Sequence, residues 1–210
     1  MFTSDNEFYK KGYLLTISNA KTLLKIANSA AKQKKYGIAN SLNILAAEEG
    51  IKAMLLLLKR SGLEVKNFNK IFSDHSFKHS HILLVFSYSR LFLDILNETN
   101  KELDKLKSKT KEQRTVLRKK LKHYFWVRQK VKKLLAAQIN QDKLIEWWRQ
   151  ANKQKNNGLY VNDTGNTWIS PASLKKSDYV KGLKYTNWII DLTDIMNEIK
   201  KESIRLHGSY

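Results

Sequence analysis

The sequence has 210 residues and a mass of 24.5 kDa, which suffices for one domain with a substantial core but hardly for two. Apolar residues make up 42% of it, with one proline and no cysteine, so collagen-like, disordered and disulfide-stapled classes are excluded. The formal net charge is +20, from 39 Lys and Arg against 19 Asp and Glu. Such a surface attracts polyanions, so RNA, a ribosome or an acidic protein is an expected partner, although an A/T-rich coding sequence also produces lysine-rich proteins.

Helical spacing dominates the N-terminal part of the chain. Apolar residues recur at helical intervals from Glu7 to about Lys34 and from Tyr36 to Arg60, and Ser61 and Gly62 follow as a stop signal. The longest unbroken apolar run, Ala53 to Leu58, is too short to cross a bilayer, and no signal-peptide pattern opens the sequence. We therefore expect a cytoplasmic protein without a membrane partner.

The middle of the chain changes character. Ser73 or Asp74 is a good N-cap for another helix that extends to Leu96. Residues 97–122 then alternate Lys and Glu with few apolar positions, a pattern typical of an exposed helical projection or arm.

Aromatic-rich helices follow, and the last part of the chain contains the sequence's one strand candidate. Turn residues at 156–158 and 163–166 flank short apolar runs, which indicates a small β-hairpin or ordered loop. A final helix follows, with Ser173 or Ser177 as its expected N-cap, and ends near Gly208. We predict a single all-α domain over residues 1–210, a bundle of long antiparallel helices with a charged projection at about 97–122.

The second helix carries an acidic and basic cluster. On a helical wheel, one stripe lies within about 40° of a single direction, and it contains Ile38, Leu42, Leu45, Glu49, Lys52 and Leu56. Apolar residues also occupy the opposite side, so we predict that the stripe is buried and that its carboxylate needs a partner. Lys52 is one turn from Glu49, and Glu48, toward the stripe's edge, reaches Lys52 at i, i+4. The cluster is either a structural ion pair that fixes helix register or part of a catalytic site.

A candidate second half of such a site opens the next helix. His75 falls at or just inside the helix N-terminus, where exposed amide groups bind anions and disfavour imidazolium, and Lys78 follows one turn later. A neutral imidazole beside a phosphate is suited to act as a base. The structural alternative is an ordinary histidine of the cap region.

Arg118 and His123 form an Arg-x4-His pattern in the charged segment. In a regular helix these side chains point about 140° apart, so they converge only if the helix breaks or a symmetry mate completes the site. The surrounding cations that are candidate RNA contacts are Lys119, Lys120, Lys122 and Arg128.

Several enzyme classes are excluded by missing motifs. The sequence contains no Walker loop, dinucleotide fingerprint, His-Glu-x-x-His motif or nucleophile elbow. Five histidines without cysteine or a spaced carboxylate set do not predict a metal site. We expect no metal and no cofactor.

Four stretches of the chain, residues 41–53, 72–78, 158–161 and 168–171, resemble the AbiV family of bacterial abortive-infection proteins, a branch of the HEPN superfamily. The resemblance covers most of the chain. It implies a HEPN-like helical bundle, a homodimer, a role in phage defence through arrest of translation, and activation by a phage-encoded protein.

Resemblance to the superfamily further implies a metal-independent endoribonuclease, in which an Arg-x4-6-His motif supplies a histidine for acid–base work and an arginine for phosphate stabilisation. In this chain Lys119 follows Arg118, where the superfamily motif usually has an uncharged polar residue. The pairs Glu49/Lys52 and His75/Lys78, in contrast, match the AbiV pattern itself. The favoured mechanism therefore has His75 take the 2′-hydroxyl proton of RNA, Lys52 or Lys78 steady the phosphate, and Glu49 orient one of them.

Two other hypotheses remain open at this stage. A non-enzymatic basic protein would block translation by binding a ribosome, RNA or a phage protein, and it would leave RNA intact. An antitoxin-like or scaffold protein would use the Glu49/Lys52 pair for structure alone.

Overall fold

The computed structural model describes residues 2–63, 65, 68, 70 and 139–207. Within these ranges the chain forms four helices, two short strands and one 3-10 helix. They are α1 (Phe2–Lys32), α2 (Tyr36–Arg60), α3 (Gln141–Leu159), β1 (Asn162–Asp163), β2 (Trp168–Ile169), the 3-10 helix Pro171–Ser173, and α4 (Lys176–His207). The predicted all-α class and the hairpin before the last helix are confirmed. The predicted helix at 74–96 and the projection at 97–122 lie outside the described residues, and the single domain stays a prediction.

Helices α1 and α2 form an antiparallel hairpin. Lys34, in the turn between them, has φ 59, and α2 then begins and ends at the predicted residues. A Cβ atom placed on Gly12 of α1 would lie 3.2 Å from Leu56 of α2, so the start of α1 runs beside the end of α2. The small residue allows the two helices to approach closely there.

Helix α2 is the centre of the described bundle, because α1, α3 and α4 all pack against it. The core is apolar and aromatic, and its largest fully buried side chains include Trp147, Trp148, Ile44, Met54 and Ile189. Two threonines of α4 add polar links, since Thr186 Oγ1 donates to Asn43 O at 3.0 Å and Thr193 Oγ1 lies 3.3 Å from Gly50 O.

A glycine seam joins α3 and the 3-10 helix to the start of α2. A Cβ atom on Gly37 would lie 2.2 Å from the carbonyl oxygen of Pro171, and one on Gly158 would lie 2.2 Å from Ser41 Oγ and 2.4 Å from Gly37 O. Any side chain at either glycine would overlap backbone atoms. Backbone therefore packs directly on backbone here, and the arrangement fixes where the hairpin leaves α3.

Two local sequence predictions were wrong in this region. Residues 156–158, expected in a turn, lie in the last turn of α3, immediately before its final residue Leu159. Gly158 allows the close packing against Ser41 and Gly37 and does not reverse the chain. Ser173 and Ser177, expected as caps of the last helix, do not cap it. Instead the Asp178 carboxylate accepts the backbone N–H of Lys175 at 3.0 Å, as the reciprocal half of a capping box does.

Candidate functional site

One side of α2 is less buried than the rest of the helix. Every residue from Gly37 to Leu58 is buried except five. These five, named here the open stripe, are Ile38, Leu42, Leu45, Glu49 and Lys52. The prediction that they line the buried face was wrong, since the apolar residues on the opposite side face the core instead. Leu56, the sixth residue of the predicted stripe, is buried beside Gly12.

Glu49 and Lys52 form the ion pair that their spacing predicted. Lys52 Nζ donates to Glu49 Oε1 within one turn of α2. The glutamate side chain keeps 17% of its surface exposed and the lysine side chain keeps 20%. Both charges therefore lie at a half-buried position, where electrostatic interactions are stronger than in bulk water yet a solvent-borne ligand can approach.

The neighbouring carboxylate has a different partner. Glu48 Oε1 accepts a hydrogen bond from Lys155 Nζ of α3 at 2.7 Å, with exposed side-chain fractions of 3% and 8%. The predicted pairing of Glu48 with Lys52 was therefore wrong, because Glu48 points across the α2–α3 contact and not along α2. This pair joins two helices inside the bundle.

Sequence reasoning missed Lys155, although a signal for it was present. Apart from Trp147, the buried residues of α3 follow one line at helical spacing, Leu144, Trp148, Ala151, Lys155 and Gly158. A lysine in the middle of such a line requires an acid from another element. Its partner lies 107 residues away in the sequence, so no local pattern identifies which acid that is.

Buried polar side chains extend the contact around this pair. Ser41 Oγ lies 2.8 Å from Lys155 O, and Asn40 Nδ2 donates to Gln154 Oε1 at 3.3 Å. Together with the Glu48 pair, these bonds attach α3 to the buried side of α2 next to the open stripe, named here the closed side.

The end of α2 holds groups with shifted pKa values. Burial, with Arg60 nearby, lowers the pKa of Lys200 to about 8, and its Nζ donates to Ser61 Oγ at 3.1 Å. Burial, with Asp194 and Glu198 nearby, raises the pKa of Tyr13 well above its usual value. Lys200 thus loses its proton easily for a lysine, and Tyr13 keeps its proton.

The remaining predicted site residues lie outside the described residues. They are His75, Lys78, Arg118 and His123, with the candidate RNA contacts Lys119, Lys120, Lys122 and Arg128. Their roles stay predictions. Among the residues that the structure describes, no three His, Asp or Glu side chains gather as metal ligands would, and no helix in those ranges has the length and apolar character needed to span a membrane.

A comparison with protein families identifies the chain's family. The family model HEPN_AbiV, described as AbiV, matches residues 8–190, a range that runs from the second turn of α1 to the middle of α4. No curated protein and no solved structure matches the chain.

Proposed function

The chain belongs to the AbiV family of the HEPN superfamily, and from that premise we propose that it is an abortive-infection effector that arrests translation during phage infection by cleaving RNA. The family supports the role in abortive infection. The cleavage, its RNA target and the arrest of translation are our proposal.

The observation that carries the proposal is the position of the Glu49–Lys52 ion pair on the open stripe. Both residues belong to α2, so their pairing joins no two elements of the fold. A local pair at i, i+3 contributes only about 0.2–0.5 kcal/mol to a helix. We infer that two charges among Ile38, Leu42 and Leu45 serve more than stability, because the partly exposed lysine is suited to bind a phosphate and the acid beside it to orient that lysine or a catalytic base.

In the proposed mechanism, the pair works with His75 and Lys78. His75 takes the proton of an RNA 2′-hydroxyl, and the oxygen attacks the adjacent phosphorus. A 2′,3′-cyclic phosphate forms, and the bond to the 5′-oxygen breaks as that oxygen takes a proton from water. Lys52 or Lys78 stabilises the charge that develops on the phosphate oxygens, and Glu49 orients one of the two basic side chains. No metal is needed for any of these steps.

Regulation and assembly complete the proposal. The effector works in the cytoplasm as a homodimer that stays latent until a phage-encoded protein activates it. Arg118 and His123 enter the site only if the helix breaks between them or the partner copy supplies one of them, because a regular helix would separate them by about 140°.

Total-RNA integrity in phage-infected bacteria tests the proposal. Cells that express the wild-type chain are compared with cells that express His75→Ala, and uninfected cells are included because a latent effector is silent alone. We expect discrete tRNA or rRNA fragments only in infected wild-type cells. A folded His75→Ala variant that still protects and still fragments RNA would remove His75 from the mechanism.

The net charge of +20 favours one competing function, steric block of translation by binding a ribosome, RNA or a phage protein. That function predicts arrested translation with intact RNA in infected cells. It also predicts that charge reversal across residues 105–122 abolishes protection, because binding would depend on those cations.

A further inference from the structure

We propose that one end of the bundle is a docking surface for single-stranded RNA, separate from the Glu49–Lys52 pair. This surface, named here the basic end, consists of two exposed aromatic side chains on the hairpin and five exposed lysines around it: Tyr160, Trp168, Lys32, Lys34, Lys35, Lys175 and Lys176. The choice of RNA as the ligand rests on the proposed function, but the binding it predicts is measured without phage and without cleavage.

Trp168 is the main feature of the basic end. Its side chain is 74% exposed, the largest exposed fraction of any large hydrophobic residue in the described part of the chain, and Tyr160 is 61% exposed. Trp168 pairs with Asp163 across the two strands, and both project from the exposed face, while Asn162 and Ile169 are half-buried on the other face. The strand geometry therefore holds the indole away from the core.

The hairpin that carries these rings has a rigid base. Gly158 packs against Ser41 and Gly37 immediately before the hairpin, and Pro171 packs against Gly37 immediately after it. Both ends of the hairpin are thus fixed to the start of α2 by backbone contact. An aromatic side chain on a fixed support loses little conformational entropy when it binds a ligand.

The lysines come from segments that the fold brings to the same end. The α1–α2 turn carries Lys34 and Lys35, and it adjoins the start of α4 because Tyr179 Oη donates to Asn28 Oδ1 at 2.6 Å. The rings of Tyr179 and Tyr36 lie 6.4 Å apart, which ties the start of α4 to the start of α2 as well.

Acidic residues near these lysines are few and already engaged. The sequence contains no Asp or Glu between Glu7 and Glu48. On the hairpin, the Asp163 carboxylate accepts the backbone N–H of Gly165 at 2.8 Å, and Asp178 accepts that of Lys175. Hydrogen bonding does not remove the charge of these two carboxylates, but the five lysines outnumber them, so the basic end has a net positive charge that attracts a polyanion.

The combination of exposed rings and cations favours single-stranded nucleic acid over an acidic protein. Unpaired bases stack on aromatic side chains while phosphates bind lysines, and stacking contributes about 1–3 kcal/mol per base. In a duplex the base faces are already stacked on one another, so a duplex would contact only the lysines through its phosphates. The start of α2 lies about 20 Å from Glu49 at 1.5 Å per residue, so a single RNA strand can reach both places.

The test is the affinity of the purified chain for a fluorescent 12-nucleotide oligo(U) RNA, measured by anisotropy at about 0.1 M salt. We expect Trp168→Ala to raise the Kd by about tenfold or more, the loss of one stacked base. Trp168→Phe should recover most of the affinity because it keeps a ring. Phe8→Ala is the matched control, since Phe8 is 70% exposed on α1 and lies outside the basic end.

A second pair of variants tests the cations. Lys34→Glu with Lys35→Glu should weaken binding and reduce its salt dependence, whereas Lys11→Glu with Lys25→Glu, the same charge change on exposed residues of α1, should have a smaller effect. The proposal is overturned if Trp168→Ala binds as the wild type does, or if an RNA duplex competes as well as the single strand.

Two further outcomes separate this surface from the proposed function. If Trp168→Ala keeps its RNA affinity but loses phage protection, the basic end binds a protein and the RNA proposal is wrong. If RNA stays intact in infected cells while oligo(U) binding depends on Trp168, cleavage fails as a function and the docking surface stands.

Discussion

Two adjacent glutamates on α2 occupy opposite environments. Glu48 lies on the closed side of the helix and pairs with Lys155 of α3, with both side chains almost fully buried. Glu49 lies on the open stripe and pairs with Lys52 of the same helix, with both side chains partly exposed. Adjacent residues of a helix point about 100° apart. Glu48 therefore links two helices inside the bundle, whereas a ligand can approach Glu49.

The difference assigns a separate role to each pair. A buried pair between elements is expensive to break, because removal of one partner leaves a charge without compensation in a medium of low polarity. A partly exposed pair within one helix adds less to stability, because water screens it and it links no two elements. We therefore assign Glu48 and Lys155 to the fold, and we propose Glu49 and Lys52 for function.

The largest expected effect is on the glycine seam of the closed side. Gly158→Ala should lower the free energy of unfolding by about 3 kcal/mol or more, because its methyl group would meet Ser41 Oγ and the Gly37 carbonyl at 2.2 and 2.4 Å. Gly12→Ala is the control, since its methyl group would meet only the flexible end of Leu56. Urea denaturation measures both, and equal effects would show that the seam is not tightly packed.

Removal of the buried cation should have the next largest effect. Lys155→Met removes the buried cation that pairs with the Glu48 carboxylate and should cost about 3 kcal/mol of unfolding free energy. Glu48→Gln combined with Lys155→Met should recover part of that loss, because no ionised group then stays buried. If Lys155→Met cost less than about 1 kcal/mol in a urea titration, the assignment of this pair to the fold would be wrong.

The open stripe should tolerate loss of its charges. Glu49→Gln and Lys52→Gln should each change the free energy of unfolding by only about 0.5 kcal/mol, because the pair is local and partly screened by water. A urea titration of each variant measures the change in its free energy of unfolding. A loss of 2 kcal/mol or more would place Glu49 with Glu48 as a structural residue.

The smallest expected effect concerns Lys200, whose pKa is lowered by burial and by the nearby Arg60. Its pKa is about 8 in the folded chain and 10.5 in the reference state, so between these values the unfolded chain binds more protons and stability rises with pH. Below pH 8 Lys200 is protonated in both states, so its destabilising effect is constant there and the pH dependence disappears. Lys200→Met should therefore show a flatter dependence of Tm on pH from 8 to 10 than the wild type.

The comparison ends at pH 10 because Tyr13 affects the stability above that pH. Its raised pKa adds a contribution of opposite sign, which is lost as pH rises above 10. Identical pH profiles for the wild type and Lys200→Met between pH 8 and 10 would contradict the shifted pKa of Lys200.

The sequence predicted the elements well where local signals are strong. The bounds of α2 follow from helical spacing between Lys35 and the Ser61–Gly62 stop, and the hairpin follows from turn residues around Gly165. The turn predicted at Asn156 to Gly158 was wrong, because a glycine used for close packing looks the same in sequence as one used for a turn.

The orientation of α2 was beyond the sequence. Apolar residues occur all around this helix, so Ile38 and Leu42 on the open stripe are not distinguishable by composition from Ile44 and Ile51 in the core. The pairing of Glu48 depends on a residue of α3 far along the chain, which only the tertiary fold brings close. The Glu49–Lys52 pair was predictable because both residues lie within one turn.

The most direct test of the account is RNA integrity in phage-infected bacteria that express the wild-type chain or Glu49→Gln at equal levels of folded protein. The account predicts discrete RNA fragments with the wild type, and intact RNA with loss of phage protection in Glu49→Gln. Fragments of the same size and amount from both chains would contradict the assignment of Glu49, and intact RNA from the wild type under arrested translation would contradict cleavage itself.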